Sequence, residues 1–144
     1  YAGKGILFLN NTFKKKEICK LLHKNGHAMV QKFLPNVKKG DKRVFIINGK
    51  VCGAIRRIPS KNSILSNISQ GGTAVKTTLN SKQNKISSII AKDLLKNKIY
   101  FAGIDFVSNY LIGDINVTSP TGLPQYKELT GINLGETFWD SLEN

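Results

Sequence analysis

Apolar and polar positions along this chain fall into two patterns. Some segments alternate with the period of a half-buried strand, and others recur at the three-to-four spacing of an amphipathic helix. The clearest alternation is in Lys42–Ile47 and Lys50–Arg57, separated by Asn48-Gly49, a dipeptide suited to a two-residue hairpin turn. Lys4–Asn10 and Ala28–Phe33 predict further strands, the second running into Leu34-Pro35-Asn36, where proline ends regular pairing. Ile99–Phe106 and Tyr110–Val117 predict a second hairpin around Ser108-Asn109. Thr12 caps a predicted helix over Phe13–Lys24, closed by Asn25-Gly26, with Ile18, Leu21 and Leu22 as its apolar stripe. Asn80 or Ser81 opens another, reaching Asn97, with Ile86, Ile89, Ile90, Leu94 and Leu95 along one side. A last helix starts near Leu134 and carries Phe138, Trp139 and Leu142, whose spacing marks them as core. Between 58 and 78 periodicity disappears into a Ser-, Asn- and Gly-rich stretch, long for a mere connector and typical of a lid over a site. Hairpins and helices in separate blocks predict an α+β fold, an antiparallel sheet with flanking helices.

The second hairpin holds the candidate chemistry. With Ser108-Asn109 as a two-residue turn, Asp105 stands opposite Ile112, and residues 112, 114 and 116 share its face. Two carboxylates, Asp105 and Asp114, and the amide of Asn116 then converge on one patch. Oxygen donors of this kind suit Mg²⁺, which takes one or two carboxylates and completes its shell with phosphates and water. The alternative is a pair of solvated outer-face carboxylates, with Gly113-Asp114 as a turn or bulge.

Composition narrows the setting. The 144 residues suffice for one domain with a real core, and no run of 18 apolar residues predicts a membrane span. The opening YAGKGILFL, with neither Met nor a signal pattern, reads as the interior of a longer protein. Cys19 and Cys52 stand singly in apolar sequence, which fits plain thiols in a reducing cytoplasm. His23 and His27 lie at the end of the first predicted helix and read as structural. The formal charge is +13, but of the 22 basic residues only Arg43, Arg56 and Arg57 are arginine. Nucleic-acid readers lean on arginine for bidentate contacts, so scattered lysines favour a generally anion-friendly surface over a nucleic-acid interface.

The segments GDKRVFIINGK, RIP…SNISQGGTA, GIDF and INVTSPTG, in that order, resemble the C-terminal part of prokaryotic glutathione synthetases, which are ATP-grasp ligases. The similarity runs from about Gly3 to Trp139. It implies one ATP-grasp domain portion over residues 1–144, with ATP and Mg²⁺ (or Mn²⁺) as cofactors. The implied reaction phosphorylates the carboxylate of γ-glutamylcysteine and lets glycine displace the phosphate from the acyl-phosphate. A cytoplasmic homo-oligomer with small-molecule substrates, and no nucleic-acid or membrane partner, is the expectation that follows.

Residue by residue, the resemblance makes Asp105, Asp114 and Asn116 the metal ligands, with Asn116 also at the nucleotide. Gly3 and Gly5 resemble part of a glycine-rich loop over the phosphates. Gln31, Lys32, Phe33 and Leu34 resemble the hinge strand that pairs with the adenine edge. Asp41 falls near the nucleotide and Arg43 near the reacting groups. Arg57 resembles the arginine that steadies the substrate carboxylate and acyl-phosphate before the lid, 58–78. Asn67, Gly71 and Gly72 resemble the lid itself, and Ser119 and Thr121 the loop beneath the peptide. Arg56 alternates to the other strand face and is expected in solvent.

Three positions depart from the family pattern. Its metal-binding Glu is replaced by Asp114, one methylene shorter and one residue farther from Asp105. Leu65 stands where a second lid arginine falls, and Leu123-Pro124-Gln125 follows SPTG where the family carries arginine. The alternatives are therefore an ATP-grasp carboxylate–amine ligase with a different acceptor and, from another class, a basic nucleic-acid-binding module.

Overall fold

The computed structural model describes residues 9, 10, 12, 14–60 and 71–143, so the predicted strand Lys4–Asn10 and residues 61–70 lie largely or wholly outside it. The chain divides into two units, Gly3–Pro35 and Asn36–Asn144.

The first unit contains helix α1 (Lys15–Asn25). Thr12 is not its cap: the Thr12 N–H and hydroxyl both donate to Asn10 Oδ1, and Glu17 closes the first turn by accepting from the Lys14 N–H at 3.0 Å. Gly26, at φ +76°, ends the helix by donating to the Leu22 carbonyl, as the Asn-Gly signal predicts. No residue of α1 is buried, and Cys19 is exposed, contrary to the apolar setting expected for it. The predicted strand Ala28–Phe33 is irregular, with Met29 and Val30 exposed at 83% and 80%. A β-prone sequence becomes a strand only in a ladder, and no strand is formed over these residues.

The second unit is built on a five-stranded antiparallel sheet. Its strands are β1 (Asp41–Ile47), β2 (Lys50–Ile58), β3 (Thr73–Lys76), β4 (Phe101–Phe106) and β5 (Ile112–Asn116), in the order β3-β2-β1-β4-β5. Asn48 and Gly49 both take positive φ, +43° and +73°, giving the turn that matches the twist of β1 and β2. Helix α2 (Ser81–Lys96) covers one face, where Ala91, Ile86, Ile90 and Leu94 pack on Val44, Ile46, Ala102, Ile104 and Phe106. Ile89 and Leu95 turn outward, so the apolar stripe is narrower than the sequence suggested. Helices α3 (Leu123–Thr130) and α4 (Leu134–Glu143) cover the other face through Tyr126, Leu134 and Phe138, which pack with Phe45, Ile47, Ile55 and Phe101. Trp139 is 65% exposed and does not join this core. The α+β class and the antiparallel sheet with flanking helices are as predicted.

Besides a 3₁₀ turn over Pro35–Lys39, two elements were not anticipated. β3 is four residues inside the segment read as aperiodic, too short to show a period; its pairing with β2 creates it. α3 is eight residues long, marked in sequence only by Pro124 in its first turn and Gly131 just past its end. No helix among the described residues is long and apolar enough to cross a membrane.

The register of the second hairpin also differs from expectation. Val107 N–H donates to the Leu111 carbonyl at 3.0 Å, closing a wider loop than a two-residue turn. Asp105 faces Asp114, Ile104 faces Ile115 and Gly103 faces Asn116, whereas Phe106 faces Ile112. Gly113 is therefore a bulge, and Asp105 stands opposite Asp114 rather than Ile112. A two-residue count does not give this register, although a bulge at Gly113-Asp114 was the alternative that the sequence offered.

Candidate active site

The face of the sheet under α3 and α4 changes character along its strands. Phe45, Ile47, Ile55 and Phe101 occupy one end, while Asp41, Arg43, Arg57 and Asp105 occupy the other on the same face. Period-2 alternation places residues 41 and 43 beside 45 and 47, so one strand supplies both the core and the charged group. The alignment across β1 and β2 depends on an irregularity at Cys52: Ile46 faces Val51 and Phe45 faces Gly53. Beyond that bulge Asp41 pairs with Arg57, and Arg56 pairs with Lys42 on the opposite face.

The four charged side chains form one buried network. Arg57 donates from Nε and Nη2 to the two carboxylate oxygens of Asp41, each at 2.7 Å. Arg43 makes the same fork with Asp105, Nε to Oδ1 at 2.8 Å and Nη2 to Oδ2 at 2.7 Å. Arg57 Nη2 also reaches Asp105 Oδ2 at 2.7 Å, joining the two pairs. Side-chain exposures of 2–9% remove this group from solvent. Burial by itself pulls the Arg57 pKa down, but hydrogen bonds and charge from Asp41 and Asp105 outweigh it and leave the group above its ordinary value. Arg43 Nη1 donates to the carbonyl and hydroxyl oxygens of Thr121, each at 3.2 Å, tying the 117–122 loop to the network. Gly103 makes room for this: a Cβ there would sit 3.3 Å from Arg43 Nε and 3.0 Å from Pro120 Cβ.

Asp114 lies directly across from Asp105 at the edge of the sheet and is exposed. Asn116 shares their face, but its Oδ1 accepts the backbone N–H groups of Thr118 and Ser119, both at 3.0 Å. Two N–H donors identify that atom as oxygen and turn it toward the loop. The donor set thus fits a cation held by one or two carboxylates with phosphates completing the shell, which is how Mg²⁺ is usually bound. No cluster of three or more Asp, Glu, His or Cys residues suited to a metal occurs among the described residues.

The structure brings Asp41, Arg43, Arg57, Asp105, Asp114, Asn116 and Thr121 to one end of one sheet face, with Ser119 in the loop held by Asn116. Gly71, at φ +84°, and Gly72 immediately precede β3. Gln31, Lys32, Phe33 and Leu34 belong to the first unit, and Gly3, Gly5 and Asn67 lie outside the described residues. Sequence reading missed Gln83, which is 1% exposed. Its Oε1 accepts from the Asn80 N–H and Lys42 Nζ, and its Nε2 donates to the Ser108 carbonyl, so the start of α2 fastens the base of the β4–β5 loop. The Asn80…Gln83 spacing of a capping box was the available signal.

The family model described as prokaryotic glutathione synthetase, ATP-grasp domain, matches residues 1–131. The chain belongs to this family. A glutathione synthetase of Synechocystis sp. is 39% identical over 138 residues, covering 94% of this chain and 43% of the relative. One of Nostoc sp. is 39% identical over 136 residues, covering 92% and 42%, and one of Mesorhizobium japonicum 35% over 147 residues, covering 99% and 46%. The chain thus spans less than half the length of the curated glutathione synthetases it matches. Within the ATP-grasp domain, the buried arginine–carboxylate network and the Asp105–Asp114 pair both fall inside the matched residues.

Proposed function

We propose that this chain forms the nucleotide- and metal-binding part of an ATP-dependent ligase that joins γ-glutamylcysteine to glycine through an acyl-phosphate. The observation that carries this reading is the opposition of Asp105 and Asp114 beside the Arg43–Arg57 network, in a chain of this family. The names of the relatives support the choice of reaction.

Asp114 and Asp105 would hold Mg²⁺, with Mn²⁺ as a substitute, and Asn116 would join them on releasing its loop. Bound there, the cation supplies positive charge to the transferring phosphoryl group. Arg43 and Arg57 fix the Asp105 carboxylate through three N–H bonds, and keep guanidinium charge where a substrate carboxylate and phosphate meet. Asp41 holds Arg57 in place. Gln31–Leu34 would serve the adenine and Gly3 and Gly5 the phosphates, while Asn67, Gly71, Gly72, Ser119 and Thr121 would line the dipeptide. Of segment 58–78, the part before β3 would cover the reacting groups, its two ends held together where Ile58 pairs with Thr73. The whole enzyme is read as a cytoplasmic homo-oligomer.

The uncharged start of α3 at Leu123-Pro124-Gln125 favours, as a second reading, a ligase of the same chemistry with another acceptor. An assay of the intact protein with γ-glutamylcysteine, glycine, ATP and Mg²⁺ decides. Glutathione formed in step with ADP is expected. Dipeptide-dependent ADP release without glutathione selects the second reading, and no nucleotide turnover with any carboxylate–amine pair overturns both.

A further inference from the structure

Resting on the reading that Asp105 and Asp114 share a divalent cation, we propose that Gly113 is the positioning residue that keeps the two carboxylates in opposition. Ladder pairs Phe106–Ile112 and Asp105–Asp114 leave Gly113 with no partner on β4. A strand with one surplus residue must bulge or turn everything beyond that point to its other face. Carried on from Phe106–Ile112 without a bulge, the ladder would set Asp105 against Gly113 and Asp114 against Ile104, on the face covered by α2. Absorbing the surplus at Gly113 keeps Asp114 and Asn116 on the face of Asp105 and Gly103.

The bulge sits where a side chain has no room. A Cβ on Gly113 would come within 2.7 Å of Val107 Cγ1. The Val107 backbone is held by its N–H bond to the Leu111 carbonyl at 3.0 Å, so relief must come from its branched side chain, which is stiff at χ1. The requirement at 113 is one of space, since its φ lies outside the left-handed region. Adding a methyl group here displaces the bulge or the loop, and either movement turns Asp114 away from Asp105. Removing the Val107 Cγ atoms at the same time gives the methyl group its space.

The test measures Mn²⁺ binding to the intact protein by electron paramagnetic resonance, with a non-hydrolysable ATP analogue present, alongside thermal unfolding. Gly113→Ala is expected to weaken Mn²⁺ binding about 10–100-fold, the range seen when support of a metal ligand is lost. Gly113→Ala with Val107→Ala is expected to recover most of that loss, although each substitution alone removes or adds only apolar atoms. Asp114→Ala is the reference for complete loss of the ligand. Unchanged binding in Gly113→Ala, with Asp114→Ala impaired, overturns the role of Gly113 and leaves the metal reading intact. Unchanged binding in Asp114→Ala overturns the metal reading and the proposal with it. A folded double variant that binds no better than Gly113→Ala overturns the proposal too.

Discussion

Asp41 and Arg57 are direct cross-strand partners, and Arg57 grips both Asp41 oxygens at 2.7 Å while its Nη2 also reaches Asp105. Removing one member of a buried ion pair leaves the other desolvated and uncompensated, which costs about 3–5 kcal/mol. Asp41→Ala should therefore destabilise the protein by about that amount in urea unfolding. Arg57→Lys should be nearly as harmful although charge is kept, because an ammonium cannot reproduce the planar fork. Equal stability of Arg57→Lys and the unmodified protein would refute the dependence on geometry.

The bulge at Cys52 decides which of two adjacent arginines enters the network. A regular ladder that kept Cys52 would set Arg56 opposite Asp41, whereas deleting Cys52 removes the surplus residue and leaves Arg57 there. Arg56 is exposed here, so Arg56→Ala should change stability by less than about 0.5 kcal/mol in the unmodified chain. In the Cys52-deletion background the sensitivities should therefore persist, with Arg57→Ala harmful and Arg56→Ala mild. Urea midpoints of the four substituted chains would show whether they do.

Asp114 and Asp105 should separate activity from stability. Asp114 is exposed, and its carboxylate makes no hydrogen bond or ion pair among the described residues. Asp114→Ala should lower ligase activity by orders of magnitude, as loss of phosphoryl-transfer electrostatics does, with little change in melting temperature. Asp105→Ala should lose both, because it strands the buried Arg43 guanidinium and takes one of two carboxylates from Arg57. Asp114→Glu should also impair the enzyme, its longer side chain overreaching from a position already level with Asp105. Steady-state rates over a Mg²⁺ titration, paired with melting curves, make the comparison.

Much of this was legible in the sequence, for reasons that also explain the gaps. Asn48-Gly49 determines backbone conformation by itself, so the first hairpin could be read locally. Asn80 likewise announced α2 through its side chain, which accepts from Gln83 N–H at 2.8 Å. The shared face of Asp105, Asp114 and Asn116 was also readable, but not the pairing across it. Neither bulge, at Cys52 or at Gly113, leaves a periodic trace, although a glycine within a strand marked Gly113 as a bulge candidate. Ala28–Phe33 shows the converse, since alternation alone does not make a strand without a ladder to join.

Gly53 is a second place where packing excludes a side chain. A Cβ there would lie 2.5 Å from the Tyr126 ring, which also stands edge-on to Phe45 with centroids 5.6 Å apart. Gly53→Ala should destabilise by about 1–3 kcal/mol, the usual cost of overpacking a core. In the Tyr126→Leu background the added methyl group should cost less, and a double-mutant cycle of unfolding free energies would measure the coupling.

The two free cysteines should differ in reactivity. Burial pushes the Cys52 thiol up, outweighing a backbone hydrogen bond and the charge of Lys50 that act the other way, whereas Cys19 is exposed. A raised pKa means less thiolate at a given pH, and the thiolate is the nucleophile. Iodoacetamide at pH 8 should label Cys19 first, and Cys52 should catch up only as the pH rises. Mass spectrometry of timed digests would record the order; equal rates at pH 8 would contradict it.

Two guanidiniums and two carboxylates cancel, so the buried network has no net charge of its own. The excess of +13 is carried outside it, mostly by lysines. Long-range attraction and local alignment are thereby assigned to different groups. Encounter with a polyanion should slow as ionic strength rises, because exposed charges are screened beyond about 8–10 Å in ordinary salt. On the proposed reading, the orientation of a ligand once it has arrived would rest on forks sealed away from mobile ions, and should be nearly indifferent to salt.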